Sequence, residues 1–160
     1  MYDEVALRIE IAKVIAEIKP DVVIGPDHKL YPESHPDHLR VGEAVSKAYF
    51  MCSNVNMMKS VGATQIAKPT VLAYYFTGKP NKYVKITKKD FEKTKAAYAC
   101  FVSQCPPPDN GKSLMLYMRL KVRLNGLRSF HIRADAFRVM NNMHIHCCGE
   151  AEDTAIRRPL

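Results

Sequence analysis

An α/β fold is the class this sequence predicts, and three observations carry it. A helical pattern near the start stops at Lys19-Pro20, and Asp21-Val22-Val23-Ile24-Gly25 follows at once. That β-branched run has no polar alternation, the pattern of a strand buried on both faces of a parallel sheet. Strand-like and helix-like segments then continue to alternate along the chain, as α/β proteins require. With 160 residues, 47% of them apolar and 25% charged, the chain is long and apolar enough for one domain with its own core, and disorder throughout is excluded.

From Asp3 to Ile18, Val5, Ile9, Ala12 and Ala16 with Leu7, Ile11, Val14, Ile15 and Ile18 spread over a broad helical face. Pro20 biases the residue before it away from helix. The strand at 21–25 ends in Gly-Pro, and 26–34 is a polar loop with two prolines at the strand's carboxyl end, where open parallel sheets bind ligands. A second helix is predicted from Pro36 through Tyr49, since a proline in the first turn lacks only an N–H that would be unpaired there anyway.

Residues 70–77 read as a strand, 78–81 as a turn and Tyr83 to Ile86 as a short extended piece. Thr87-Lys88-Lys89-Asp90 has the spacing of a capping box with Asp in place of Glu, and opens a helix that ends before Pro106-Pro107-Pro108. A further helix is expected over 112–124, followed by Gly126, and a final strand over 134–140.

Five cysteines, Cys52, Cys100, Cys105, Cys147 and Cys148, form an odd set without a CxxC pair, so the expectation is free thiols in a reducing compartment. The acidic start Met1-Tyr2-Asp3-Glu4 does not read as a signal peptide, and no apolar run approaches the ~18 residues of a membrane span. A cytoplasmic location follows as the expectation. The formal charge of +8 is concentrated where Lys112, Arg119, Lys121, Arg123, Arg128, Arg133 and Arg138 face only Asp135. Without a nucleic-acid module or interleaved aromatics, that stretch reads as a solvated basic face, not a specific nucleic-acid site.

The chemistry-bearing motif is His35-Pro36-Asp37-His38 at the threshold of the second helix. Imidazole is a preferred zinc donor, and residues three apart in the first turn can face one side. The same residues suit a surface helix start, and the spacing leaves both readings open. Near the carboxyl end, His144 to Cys148 gathers four metal-capable side chains in five residues. Strand alternation would split them between two faces, and an exposed terminal segment is the expected reading.

The stretch "KPDVVIGPDHKLYPESHPDHLRVGEAV" resembles the second signature of the LmbE-like, or PIG-L, N-deacetylase family. The likeness continues in order through "YYFTGKPNKYVKIT", "FEKTKAAYACFVSQ" and "RADAFRVM". It implies a Rossmann-like three-layer parallel sheet with helices on both faces, and zinc-dependent removal of acetyl from N-acetylglucosamine-type amino sugars. By the same resemblance His38 is a zinc ligand, His35 an acid or electrophilic catalyst, Asp37 its orienter, and Gln104 a residue near the substrate. Family members open with a strand and an AHPDD-type motif that supplies the other ligands and the base, and this sequence contains HPDH alone.

The resemblance therefore implies the carboxyl-terminal portion of such an enzyme, 1–143, lacking the first strands, with a tail at 144–160. It implies weak or no hydrolysis by this chain alone, and association of copies through an exposed sheet edge. A non-catalytic module of the same fold, binding a glycan or a protein, is the alternative.

Overall fold

The computed structural model describes residues 3–31, 33–141, 144 and 145, with the side chain of Gln104 excepted. Elements follow in the order α1 (Glu4–Ile18), β1 (Val22–Pro26), α2 (Pro36–Met51), α3 (Val55–Ser60), β2 (Val71–Tyr75), β3 (Lys82–Lys85), α4 (Lys88–Ala99), a 3-10 turn (Val102–Gln104), α5 (Lys112–Arg128) and β4 (Ala134–Met140). The described residues form two compact units: the first holds those up to 82 and from 137, the second residues 83–136.

In the first unit, Asp3 caps α1 by accepting from the backbone N–H of Val5 and Ala6, and Lys19 ends it in the left-handed conformation before Pro20. The αL exit leads the chain into β1, which pairs in parallel with β2 from Val22↔Val71 to Pro26↔Tyr75. Helix α2 lies between two apolar clusters. Ala48, Met51 and Cys52 meet Ala12, Ile15 and Ala16 of α1 and Met58 of α3. Val45 and Tyr49 meet Leu72 and Tyr74 of β2 and Met140 of β4. The phenol of Tyr49 is buried and donates to the carbonyl of Pro69 at 2.9 Å, so the apolar packing leaves its hydroxyl satisfied. Burial pushes the Cys52 thiol up to about 11, making it an inert core group.

In the second unit, the capping box is formed: Thr87 Oγ1 accepts from the N–H of Asp90, whose carboxylate accepts from the N–H of Thr87 at 2.8 Å. The chain turns back after α5 because Gly126 has no side chain. A Cβ there would sit 2.6 Å from the carbonyl oxygen of His131.

Several expectations are corrected in detail. The sheet, in the order β1-β2-β4-β3, is mixed and not wholly parallel, since β4 runs antiparallel to β2. The strand at 22–26 is not buried on both faces: it is an edge strand, with Val22 47% and Ile24 56% exposed. Its β-branched run reports strand propensity, which sequence alone cannot separate from burial. Helix α4 stops at Ala99 with a 3-10 turn after it, α5 runs through Gly126 to Arg128, and α3 lacks a periodic signal because it is one and a half turns capped by Asn54.

Candidate functional site

The loop that follows β1 leaves the sheet beside β2, where the N–H of Asp27 donates to the carbonyl of Tyr75 at 3.0 Å. Asp27 is 4% exposed and receives two hydrogen bonds from Arg138 of β4, Nε at 2.9 Å and Nη2 at 2.5 Å. A buried carboxylate needs this kind of pairing, because desolvation without it costs several kcal/mol. Burial pushes the Asp27 carboxyl up, yet the bonds from Arg138, Thr77 and the N–H of Lys29 together hold it below the usual carboxylate value. The Arg138 guanidinium also lies over the Tyr74 ring, 4.4 Å from its centroid. One end of the loop is thereby fastened to two strands.

The loop's other end is the first turn of α2. His35 is the N-cap, and its Nδ1 accepts from the N–H of Asp37 at 3.2 Å. A ring nitrogen that accepts carries no proton, so in neutral His35 the proton is on Nε2. His38 is arranged in the opposite sense. Its Nδ1 is 2.9 Å from Oε2 of Glu33, and since a carboxylate only accepts, Nδ1 carries a proton, which in neutral His38 leaves the lone pair on Nε2. The other oxygen of Glu33 accepts from the N–H of His35 at 2.8 Å. Those two bonds, that from His38 first, hold the Glu33 carboxyl below its usual range. The two imidazoles stack, centroids 4.5 Å apart and planes 23° from parallel. The result is a pair of exposed rings, one presenting an N–H and the other a lone pair.

Glu33 was absent from the sequence reading. Its signal was an acid two and five residues before the histidines, a spacing with no regular-helix meaning that only the loop's fold makes useful. Asp37 meets His35 through its backbone N–H. His28, in the same loop, packs edge-on to Tyr74 with ring centroids 5.6 Å apart, and burial pushes its imidazole pKa down. It faces the core, not the stacked pair. A cavity of about 300 Å³ in the first unit is lined by Lys29, Leu30, Tyr31, Lys79 and the Asp27–Arg138 pair.

Gln104 lies in the second unit, and its side chain is outside the described residues. Of the His144–Cys148 group, His146, Cys147 and Cys148 lie outside them as well, and His144 bonds locally with Asn141.

A catalytic zinc site has about three protein ligands and an open position. Among the described residues, no group of three His, Cys, Asp or Glu side chains is placed to hold an ion. His38 fits one ligand position: its Nε2 lone pair is free, and Glu33 orients the ring from the far side, as carboxylates do behind metal-binding histidines. The described residues fit one ligand of such a site and not the whole set.

No family model matches the chain. It is 31% identical over 146 residues to a diacetylchitobiose deacetylase from Thermococcus kodakarensis, across 89% of this chain and 53% of that protein. Its fold superposes on an N,N'-diacetylchitobiose deacetylase from Pyrococcus horikoshii with a TM-score of 0.78 and 27% identity, over 92% of this chain and 55% of that one. The chain belongs to the LmbE-like, or PIG-L, family. The LmbE-like fold also matches a conserved protein from Thermus thermophilus at a TM-score of 0.64 and 20% identity, over 82% and 57% of the two chains. This LmbE-like chain thus spans about half the length of the relatives it matches.

Proposed function

We propose that this LmbE-like chain supplies the His-Pro-Asp-His part of a zinc-dependent N-deacetylase acting on N-acetylglucosamine-type amino sugars. The observation that carries the proposal is the complementary pair of stacked imidazoles, His35 with Nε2–H outward and His38 with its Nε2 lone pair free. Both relatives above 25% identity are named as deacetylases of diacetylchitobiose. Zinc, when bound, supplies polarisation of the acetamide carbonyl and acidification of a water.

The chain's own residues divide the remaining work. His38 offers one ligand nitrogen, held in position by Glu33. His35 donates from Nε2 to the carbonyl oxygen as negative charge develops there, or to the leaving amine. Asp37 fixes the His35 tautomer through its N–H. The cavity of the first unit lined by Tyr31, Lys29 and Lys79 would receive the sugar. Hydrolysis by this chain alone is expected to be weak or nil, since among the described residues no group of three His, Cys, Asp or Glu is placed to hold the metal.

Zinc titration followed by the imidazole signals of the purified chain tests the reading. The expected result is a zinc-dependent shift of the His38 ring, abolished by His38→Ala, with little acetate released from diacetylchitobiose. Zinc uptake untouched by His38→Ala would overturn the ligand assignment. A chain that takes no zinc yet binds chitobiose would stand as the non-catalytic module.

A further inference from the structure

Helix α5 carries five cations, Lys112, Arg119, Lys121, Arg123 and Arg128, and no acid. The proposed deacetylase chemistry assigns a role to none of them. At about 3.6 residues per turn, Leu116, Leu120, Leu124 and Leu127 fall on one stripe, with Tyr117 at its border. The stripe faces outward: Leu120 is 58% and Leu127 76% exposed, while Val122, Asn125 and Gly126 take the buried side.

The cations are sorted around that stripe. Lys112, Arg119 and Arg123 follow one border, and Lys121 and Arg128 the other. Just past the helix, Phe130 is held at φ +58°, a conformation bulky residues seldom adopt, and is 99% exposed, as is most of Ile132 two residues on. At the stripe's amino end a cavity of about 400 Å³ is lined by Lys95, Lys112, Arg119, Asn110, Met115 and Leu116. Glu92, paired with Lys95 at 2.8 Å, is the acid beside this cluster of three cations.

We propose that this face of the second unit docks on an anionic phospholipid surface, with α5 in the plane of the head groups, its leucines and Phe130 in the acyl boundary and its flanking cations on lipid phosphates. An apolar stripe between two cationic borders is the pattern of an interfacial helix. A second copy of the chain would bring five cations against five cations. Nucleic acid would press its phosphates onto the leucines in the middle of the face, where no cation stands.

Sedimentation of the full chain with vesicles tests this, comparing phosphatidylcholine alone with phosphatidylcholine containing one-third phosphatidylglycerol. Binding is expected to the anionic vesicles and to be weakened by salt. Arg119→Gln with Arg123→Gln should lower the partition roughly fivefold for each charge removed. Leu116→Ser with Leu120→Ser, which leaves every cation in place, should lower it by about tenfold or more. Unchanged circular dichroism shows that these exposed substitutions leave the fold intact. Equal binding to both vesicles, or leucine variants that bind like the parent, would overturn the proposal. So would a dimer lost on Leu116→Ser, or duplex DNA held more tightly than vesicles and equally well by the leucine variants.

Discussion

At Asp27 burial and ionisation pull against each other, and Arg138 decides the outcome. With both groups about 4% exposed and joined by two hydrogen bonds, removing one partner strands a buried charge. Arg138→Leu should cost about 3–5 kcal/mol in urea unfolding, whereas Asp27→Leu with Arg138→Met should cost far less. Because folding lowers the Asp27 carboxyl pKa, its contribution is full above the ordinary value of 3.8 and is lost as pH falls through the lower folded value. His28 works in the other direction. Burial lowers its imidazole pKa, so stability is full above the ordinary value of 6.5 and declines as pH falls below it, until the folded ring also takes up its proton. A nuclear magnetic resonance titration should place His28 below 6.5, and His28→Phe should flatten stability across that interval. The two histidines of HPDH were legible in sequence. The partners of the loop they belong to were not, since Asp27 and Arg138 stand 111 residues apart.

Helix α2 carries the candidate site, and its amino end and its back are set by different residues. His35 caps the helix through its side chain, so cap and chemistry can be separated. His35→Asp should keep the stability of the helix and lose the outward N–H, while His35→Ala should lose both, at up to about 1 kcal/mol by thermal unfolding. Behind the first turns, Gly42 lets α2 lie against the loop: a Cβ there would be 2.5 Å from the carbonyl oxygen of Pro26 and 2.9 Å from Cβ of His28. Gly42→Ala should therefore cost about 1–3 kcal/mol, visible as a lowered urea midpoint, and should disturb the His35 and His38 ring signals. Pro36, the apolar period of α1 and the Thr87–Asp90 box were readable because each is a local device. The close approach of Gly42 was not, because a glycine in a helix gives no sign of what faces it.

At the scale of the whole molecule, β1 is an outer strand whose Val22 and Ile24 are exposed. An edge strand with apolar side chains is a template for pairing, and we propose that copies associate there, opposed by the net charge of +8. Ile24→Lys should leave circular dichroism unchanged and shift sedimentation velocity toward the monomer. The parent should associate more as salt screens the charge. Among the described residues no helix is long and apolar enough to cross a membrane.

The sequence by itself determined the α/β class, most of the helix and strand positions with α3 excepted, the HPDH motif and the family. All of these are written in local periodicity, caps and contiguous motifs. Only the tertiary structure decided that the first strand is an edge, that the last runs antiparallel, that Glu33 orients His38 and that Asp27 is clamped by Arg138. The strand neighbours and the Asp27–Arg138 clamp depend on which distant segments share a neighbourhood, and the Glu33–His38 bond on how an irregular loop folds, neither of which a local pattern encodes.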